Sequence, residues 1–284
     1  TATGKILKTA LRDTFREFLH HLPFYGLAVL CLDDPEVRAL IPDLGRQVRT
    51  YGFAEDADIR ASNLRQQGPR TFFNVSRPGV DEWLEVELNL PGRHNVENAL
   101  AAIAVAFELD VDDAAILAGL KSFAGIGRRF QVYGELTTGV GQVLLIDDYG
   151  HHPRELSATL EAVRNGWPER RLVLAFQPHR YTRTRDLFED FAHVLSEVDV
   201  LMLLEVYAAG EEPIAGADSR ALARAIRMRG QIEPVFVEDV ESLPAALATV
   251  LRDGDVLVTL GAGDIGTAPA RIMAELGAAQ GGVQ

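Results

Sequence analysis

The chain has a single cysteine, Cys31, among its 284 residues. No intrachain disulfide can form and no cluster of thiolates can hold a metal, which suits a reducing compartment. Long apolar runs are missing as well. The most apolar stretch, Leu27 to Leu32, falls far short of the roughly 18 residues that a membrane span requires. The first residues carry Lys5, Lys8 and Arg12 among Thr and Leu, without the apolar core or cleavage site of a secretion signal. A soluble, cytoplasmic protein is expected. Positive charge is scarce: 28 Lys and Arg stand against 41 Asp and Glu, a net charge of −13. Such a surface repels phosphate backbones and anionic lipid, so neither nucleic acid nor membrane is an expected partner. There is no complete Walker A motif, no CxxC, no HExxH and no GxSxG, which leaves zinc hydrolysis and serine acyl transfer without support. Gly4-Lys5 resembles the end of a P-loop, but Ile6 stands where Ser or Thr is needed.

What is present is ample apolar material, 47% of residues, enough for two cores. Apolar spacing predicts a helix from Ile6 to His21 that stops before Pro23, and then a buried strand over Gly26–Leu32. A brief helix is expected over Val37–Ile41. β-like segments follow at Val48–Phe53, Ile59–Leu64, Thr71–Val75 and Trp83–Leu90, the last alternating apolar and polar residues. Helices are expected over Asn95–Phe107 and Asp112–Ser122. Gly125 and Gly127 then break the chain before a new strand begins. Beyond them, strands at Val143–Ile146, Leu172–Phe176, Val200–Leu204, Pro234–Val237 and Val256–Leu260 alternate with helices near 153–165, 184–197, 218–229, 241–252 and 267–277. Strict alternation implies a parallel sheet covered on both faces. An Ala/Gly-rich tail closes the sequence and is expected to fray.

In open α/β sheets, ligands sit beyond the carboxyl ends of the strands. That rule points to the loops starting at Asp147, Gln177 and Glu205, and two motifs lie there. Asp147-Asp148-Tyr149-Gly150-His151-His152-Pro153 offers carboxylates for ribose hydroxyls or a cation and imidazoles for an anionic or amine-bearing substrate. Helix capping alone does not call for all of these groups. Gln177-Pro178-His179-Arg180-Tyr181-Thr182-Arg183-Thr184-Arg185-Asp186 places three arginines in ten residues of an acidic chain, a clamp suited to carboxylate or phosphate. Its bland alternative is a solvated loop whose arginines pair with Asp186, Glu189 and Asp190. A third motif, Gly92-Arg93-His94-Asn95-Val96-Glu97-Asn98, opens a helix, and the residues by themselves favour capping by Asn over recognition of an adenine edge. For Arg128-Arg129, spacing leaves a phosphate contact and a charged linker equally open. Gly261-Ala262-Gly263-Asp264-Ile265-Gly266 matches GxGxxG, but a dinucleotide site needs a further strand and an acidic residue about 20 positions on. These glycines are read as close packing of the last helix and part of a cleft wall.

Taken in order, His20–Gly26, Pro91–Asn98, Gly127–Val132, Asp147–Pro153, Gln177–Asp186, Glu205–Ser219 and Gly261–Ile265 resemble the Mur ligase family, and in detail the branch that adds the first amino acid. The match runs from about Thr14 to Gly266. It implies an α/β protein: part of a central ATPase domain over 1–127, then a Rossmann-like, parallel-sheet, amino-acid-binding domain over 128–284. It further implies an ATP-dependent ligase of cell-wall (peptidoglycan) precursor synthesis, serving cell shape and division. ATP would convert the carboxylate of UDP-N-acetylmuramate to an acyl phosphate, which the amine of L-alanine attacks, with magnesium neutralising the phosphates.

By matching position, the resemblance puts His94, Asn95 and Asn98 at adenine, against the capping reading. It puts Arg129 near the transferring phosphate and Asp147 or Asp148 at the ribose. Tyr149, His151, His179, Arg180 and Arg183 would line the pocket for alanine and the muramoyl carboxylate, with Arg129, His151 and Arg180 closest to the chemistry. No metal ligand is expected in this chain. In the family, the UDP-binding domain, the P-loop and the magnesium ligands precede the residues seen here, so the expectation is a truncated chain, inactive alone. Two alternatives stand beside this reading. One is the recycling ligase that attaches a whole tripeptide to the same nucleotide sugar, against which Tyr149-Gly150 and the unbroken Arg180–Arg185 clamp speak. The other is a non-catalytic nucleotide-binding fragment.

Overall fold

The computed structural model describes residues 12–277. Expectations for Ile6–Leu11 and for the tail after Gly277 fall outside the described residues. The chain divides into two compact units, one ending at Ala124 and the other beginning at Gly125.

In the first unit, α1 (12–20) leads to β1 (Leu27–Cys31), then α2 (Pro35–Arg38) and β2 (Gln47–Gly52). Asp34 stops the chain after β1 and starts α2, its carboxylate accepting from the amides of Glu36 and Val37. The helix expected over Val37–Ile41 is thus earlier and shorter, and a 3-10 turn at Ile41–Asp43 follows it. β3 (Ile59–Gln67), β4 (Arg70–Arg77) and β5 (Val80–Leu88) complete the sheet, which α3 (Arg93–Glu108) and α4 (Asp113–Ser122) follow. The strand order is β1-β2-β3-β4-β5. The first three strands run parallel and the last three form an antiparallel meander. Alternation explains the packing. Phe73 and Val75 of β4 and Leu84, Val86 and Leu88 of β5 share one face. Val96, Leu100 and Ile103 of α3, spaced at helical intervals, close over it in one core.

The second unit begins with a strand that periodicity alone did not delimit. β6 (Gln131–Thr138) pairs antiparallel with β7 (Gly141–Asp148), so the sheet expected to be wholly parallel has an antiparallel edge. The rest alternates: α5 (Pro153–Gly166), β8 (Leu172–Phe176), α6 (Tyr181–Asp186), α7 (Phe188–Leu195), β9 (Val200–Leu204), α8 (Ser219–Met228), β10 (Val235–Val237), α9 (Leu243–Ala248), β11 (Val256–Leu260) and α10 (Ala268–Leu276). The single helix expected over 184–197 is two, because Leu187 leaves the helical region (φ −118°, ψ 25°) between α6 and α7.

The order β10-β9-β8-β11-β7-β6 sets the last long strand, β11, between β7 and β8. Every residue of β8 and β11 is buried, as a strand covered on both faces must be. Leu144, Ile146, Leu172, Leu174, Val256 and Val258 turn to α5, α7 and α8. Their neighbours Val143, Leu145, Val173, Ala175 and Leu257 turn to α9 and α10. The carboxyl ends of β7, β8, β9 and β11 therefore open into one cluster of loops.

Candidate functional site

The site is built from the loop after β7. Asp147 and Asp148 end that strand with both carboxylates buried. Asp147 accepts from the Arg128 guanidinium (Nε to Oδ2, 3.0 Å) and from the Thr259 hydroxyl of β11 (2.7 Å). Burial pushes its carboxyl above the usual range, while Thr259 and Arg128 pull it back. Asp148 accepts from the backbone amides of Phe130 (2.7 Å) and Gly150 (2.7 Å). All four carboxylate oxygens thus serve as the frame of the loop. Each oxygen accepts one of these bonds and keeps a second lone pair, so the loop's own bonds leave the ribose expectation for these residues open. Gly150 is required here, since a Cβ would lie 2.8 Å from Asp148 Oδ1.

This frame presents Tyr149 and His151. The Arg128 and Arg129 guanidinium carbons lie 5.2 and 5.5 Å from the centre of the Tyr149 ring, within cation–π range. Arg129 is exposed, whereas Arg128 reaches inward and also donates to the Gly261 carbonyl (2.6 Å). The two readings of this pair divide: Arg128 is a lock and Arg129 is available. His151 Nδ1 lies 3.1 Å from the Tyr149 carbonyl. A carbonyl only accepts, so Nδ1 carries the proton and Nε2 of the neutral ring is left as an acceptor. Glu155 accepts from the amides of His151 (2.8 Å) and His152 (3.1 Å). His152 completes a capping box at the start of α5 and belongs to the scaffold.

The loop after β8 brings the second set. Gln177 is buried, accepting from Ile265 N (3.1 Å) and donating to Asp264 (2.6 Å). His179 stacks on Tyr207 from the loop after β9 (centroids 5.5 Å, planes 15° apart) and lies 5.6 Å from the His151 ring. Tyr149 meets His151 edge-on at 5.4 Å. Four rings from three loops therefore form one continuous wall. Arg183 Nη1 lies 3.2 Å from His179 Nδ1. A guanidinium only donates, so Nδ1 is the acceptor and the neutral ring carries its proton on Nε2. Burial lowers the His179 pKa, and Arg183 and Arg180, with His151 when it is protonated, lower it further against a small opposing pull from Glu211.

Arg180 has φ +72° and ψ 132°, a conformation that costs a non-glycine residue on the order of 1–3 kcal/mol. Neighbouring bonds hold it: its amide donates to the Tyr207 carbonyl (2.8 Å), and its own carbonyl accepts from the Thr184 hydroxyl (2.9 Å). Arg185, counted in the clamp from the sequence, instead pairs with Asp186 (2.8 Å) in solvent. Of the three arginines, Arg183 bonds the His179 ring and Arg180 adds its charge nearby.

The glycines of the GxGxxG match serve close approach, though to loops more than to the last helix. A Cβ on Gly263 would lie 2.4 Å from Gln177 Oε1 and 2.7 Å from Tyr207, and one on Gly266 would lie 2.5 Å from the Arg128 guanidinium. Tyr207 and Glu211 lie in the Glu205–Ser219 stretch but carry no role from the sequence, and Thr259 is not singled out there at all. Their roles depend on partners some 28 to 112 positions away in the chain.

In the first unit, Gly92 (φ 92°) is the N-cap of α3 with no side-chain cap. Asn95 is buried inside the first turn and donates from Nδ2 to the Pro91 carbonyl (2.7 Å). The capping role that its type suggested is therefore not the one it fills. His94 is half-buried and Asn98 exposed on the same helix start. Arg93 stacks on Phe53 (3.6 Å to the centroid) and pairs with Asp33. Among the described residues no group of three or more His, Cys, Asp or Glu side chains is placed to hold a metal ion, and no helix is long and apolar enough to cross a membrane.

Comparison with known proteins adds the family. Residues 8–106 match the Mur ligase middle domain, and residues 128–263 match the Mur ligase glutamate ligase domain. A UDP-N-acetylmuramate-alanine ligase from Thermotoga maritima is 26% identical, with a TM-score of 0.73, over 94% of this chain and 54% of that one. A murein peptide ligase from Psychrobacter arcticus shares the fold at 21% identity (TM-score 0.64; 96% of this chain, 55% of that one). So does a MurF ligase from Thermotoga maritima solved with ADP, at 20% identity (TM-score 0.70; 93% and 56%). The chain spans about half the length of these ligases.

Proposed function

The chain belongs to the Mur ligase family, and from that premise we propose that its second unit receives the incoming amino acid in an ATP-dependent ligase joining L-alanine to UDP-N-acetylmuramate. The observation that carries this reading is the convergence of Tyr149, His151, His179 and the Arg180–Arg183 pair from separate loops at the carboxyl end of one sheet. Likeness to an alanine-adding ligase at 26% identity supports the choice of substrate.

The chemistry follows from the groups. Arg180 and Arg183 supply forked donors for a carboxylate, either that of the amino acid or that of the sugar. His151, with Nε2 an acceptor, can take a proton from the attacking ammonium so that the amine becomes nucleophilic. Arg129, exposed beside Tyr149, supplies a cation for charge developing on a transferring phosphoryl group. The rings of Tyr149, His151, His179 and Tyr207 line one side of these groups and offer faces on which a bound substrate can pack. ATP, when bound, supplies the phosphoryl group that activates the acid. In the first unit, the Asn95 carboxamide is fixed by its bond to Pro91, and with His94 and exposed Asn98 it offers a donor–acceptor face suited to an adenine edge. Mg2+ has no cluster of ligands among the described residues, and no step here is assigned to it.

Ring-proton NMR of His151 and His179 tests the amino-acid site. Titrating the chain with L-alanine is expected to shift both rings at lower concentration than the tripeptide does. Tighter binding of the tripeptide would favour the recycling ligase. Shifts with neither ligand, together with no alanine-dependent phosphate release by the complete gene product, would sink the ligase reading. ATP-analogue binding that survives in that case, and weakens in Asn95→Ala, would favour a nucleotide-binding module.

A further inference from the structure

The loop after β9 reaches back to the loop after β8 and holds it at two points. Tyr207 accepts from the Arg180 amide through its carbonyl (2.8 Å) and donates from its own amide to the Pro178 carbonyl (2.9 Å). Four residues on, Glu211 closes a turn onto the Ala208 carbonyl (3.0 Å), through Ala209 (φ +50°) and Gly210 (φ +85°). That turn aims its carboxylate at α6. One oxygen accepts from the Thr182 amide (2.9 Å) and the other from the Thr182 hydroxyl (2.6 Å). α6 has no side-chain cap of its own, since its N-cap residue is Arg180, so the cap comes from another loop. The same carboxylate lies 3.9 Å from Arg180 Nη1. At that distance it attracts the guanidinium without using up its hydrogen bonds.

We propose that Glu211 is the positioning residue for Arg180, fixing its strained backbone and orienting its guanidinium toward the anionic substrate while leaving the N–H donors free. This rests on the ligase reading for its consequence but not for its geometry. The bonds from the Thr182 hydroxyl and amide, followed by the nearby Arg180 charge, hold the Glu211 carboxyl below its ordinary range, so it stays an anion at neutral pH.

Two readouts test the proposal. Hydrogen exchange on the chain addresses the geometry: Glu211→Ala is expected to speed exchange at Thr182 and Thr184, with β11 unchanged. Kinetics of the complete gene product address the consequence. Glu211→Ala is expected to raise KM for the substrate held by Arg180 about tenfold, with a smaller change in kcat. In an Arg180→Ala background the same substitution should add less than about twofold, because it acts through the missing guanidinium. Glu211→Gln keeps an oxygen for the Thr182 amide and lets the hydroxyl turn, so it should fall between wild type and Glu211→Ala. It also carries the cycle if the alanine variant folds poorly. Equal effects of Glu211→Ala in both backgrounds, or unaltered exchange at Thr182, would overturn the proposal. Should the wild-type protein form no amide with any amino acid, the function proposed above fails, and faster or unaltered exchange at Thr182 still decides whether Glu211 holds this loop.

Discussion

The two units solve the same packing problem differently. In the first, five strands keep one face for α3 and α4, and the alternating residues of β4 and β5 send Phe73, Val75, Val86 and Leu88 to that face alone. In the second, β8 and β11 are buried throughout and feed cores on both sides. A sheet covered on both faces leaves its strand ends as the place where polar groups can gather. There the Tyr149–His151–His179–Tyr207 wall and the Arg180–Arg183 pair are found. The first unit gathers polar groups where β1 ends and α3 starts: Arg93 pairs with Asp33 and Glu97, and burial holds the Glu97 carboxyl above its ordinary range. The parallel arrangement creates the site, and the loops decorate it.

Core truncations sharpen this contrast most. Leu174→Ala, between strands covered on both faces, is expected to cost about 4–5 kcal/mol, and Phe73→Ala, with the far face of its sheet less covered, about 3 kcal/mol. Denaturant unfolding of each variant, followed by hydrogen exchange within its own unit, measures both. A larger loss for Phe73→Ala would break the comparison.

Next in size is the lock at the strand ends. Arg128→Ala leaves the Asp147 carboxylate buried without its cation, a change worth about 3 kcal/mol. Asp147 is already raised by burial, and losing Arg128 raises it further. Its ordinary carboxyl pKa in the unfolded chain then lies well below its folded value. Unfolding releases a proton between those two values, so the variant should lose stability as pH rises through that window and keep that loss above it. Thermal melts across acidic to neutral pH read this out. A flat difference from wild type would show that Asp147 does not depend on Arg128.

The smallest effect concerns His179. Burial comes first among the causes that lower its pKa, and Arg183 second. Arg183→Ala should therefore raise its NMR titration midpoint only part of the way to the ordinary histidine value. A group depressed in this way favours the fold at neutral pH. That contribution is complete above the unfolded histidine pKa and is lost as pH falls toward the folded one. An unchanged midpoint would place Arg183 away from His179 in solution.

Much of this was legible in the residues. The regular spacing from Val143 to Leu260 announced a parallel sheet, and the runs after Ile146 and Phe176 announced its ligand-facing loops, because buried strands and Arg/His-rich turns leave local signatures. Asp147 and Asp148 show the limit of such a reading. Their type says nothing of the Thr259 hydroxyl and the Phe130 amide, distant in the chain, from which they accept. Asn95 suggested a cap and donates to Pro91 instead. The antiparallel edge at β6 was hidden because pairing is a property of two segments, whereas periodicity belongs to one.

By itself the sequence determined the kinds of element, their order, and the residue types gathered beyond strands β7 and β8. These depend on spacing within a dozen positions and on the chemistry of single side chains. Only the tertiary structure decided that β11 lies between those strands, that Tyr207 and Glu211 complete a site begun some 30 residues earlier, and that Arg180 is held with a positive φ. Each is a contact between distant segments, formed once the whole sheet is in register and encoded in no short stretch of chain.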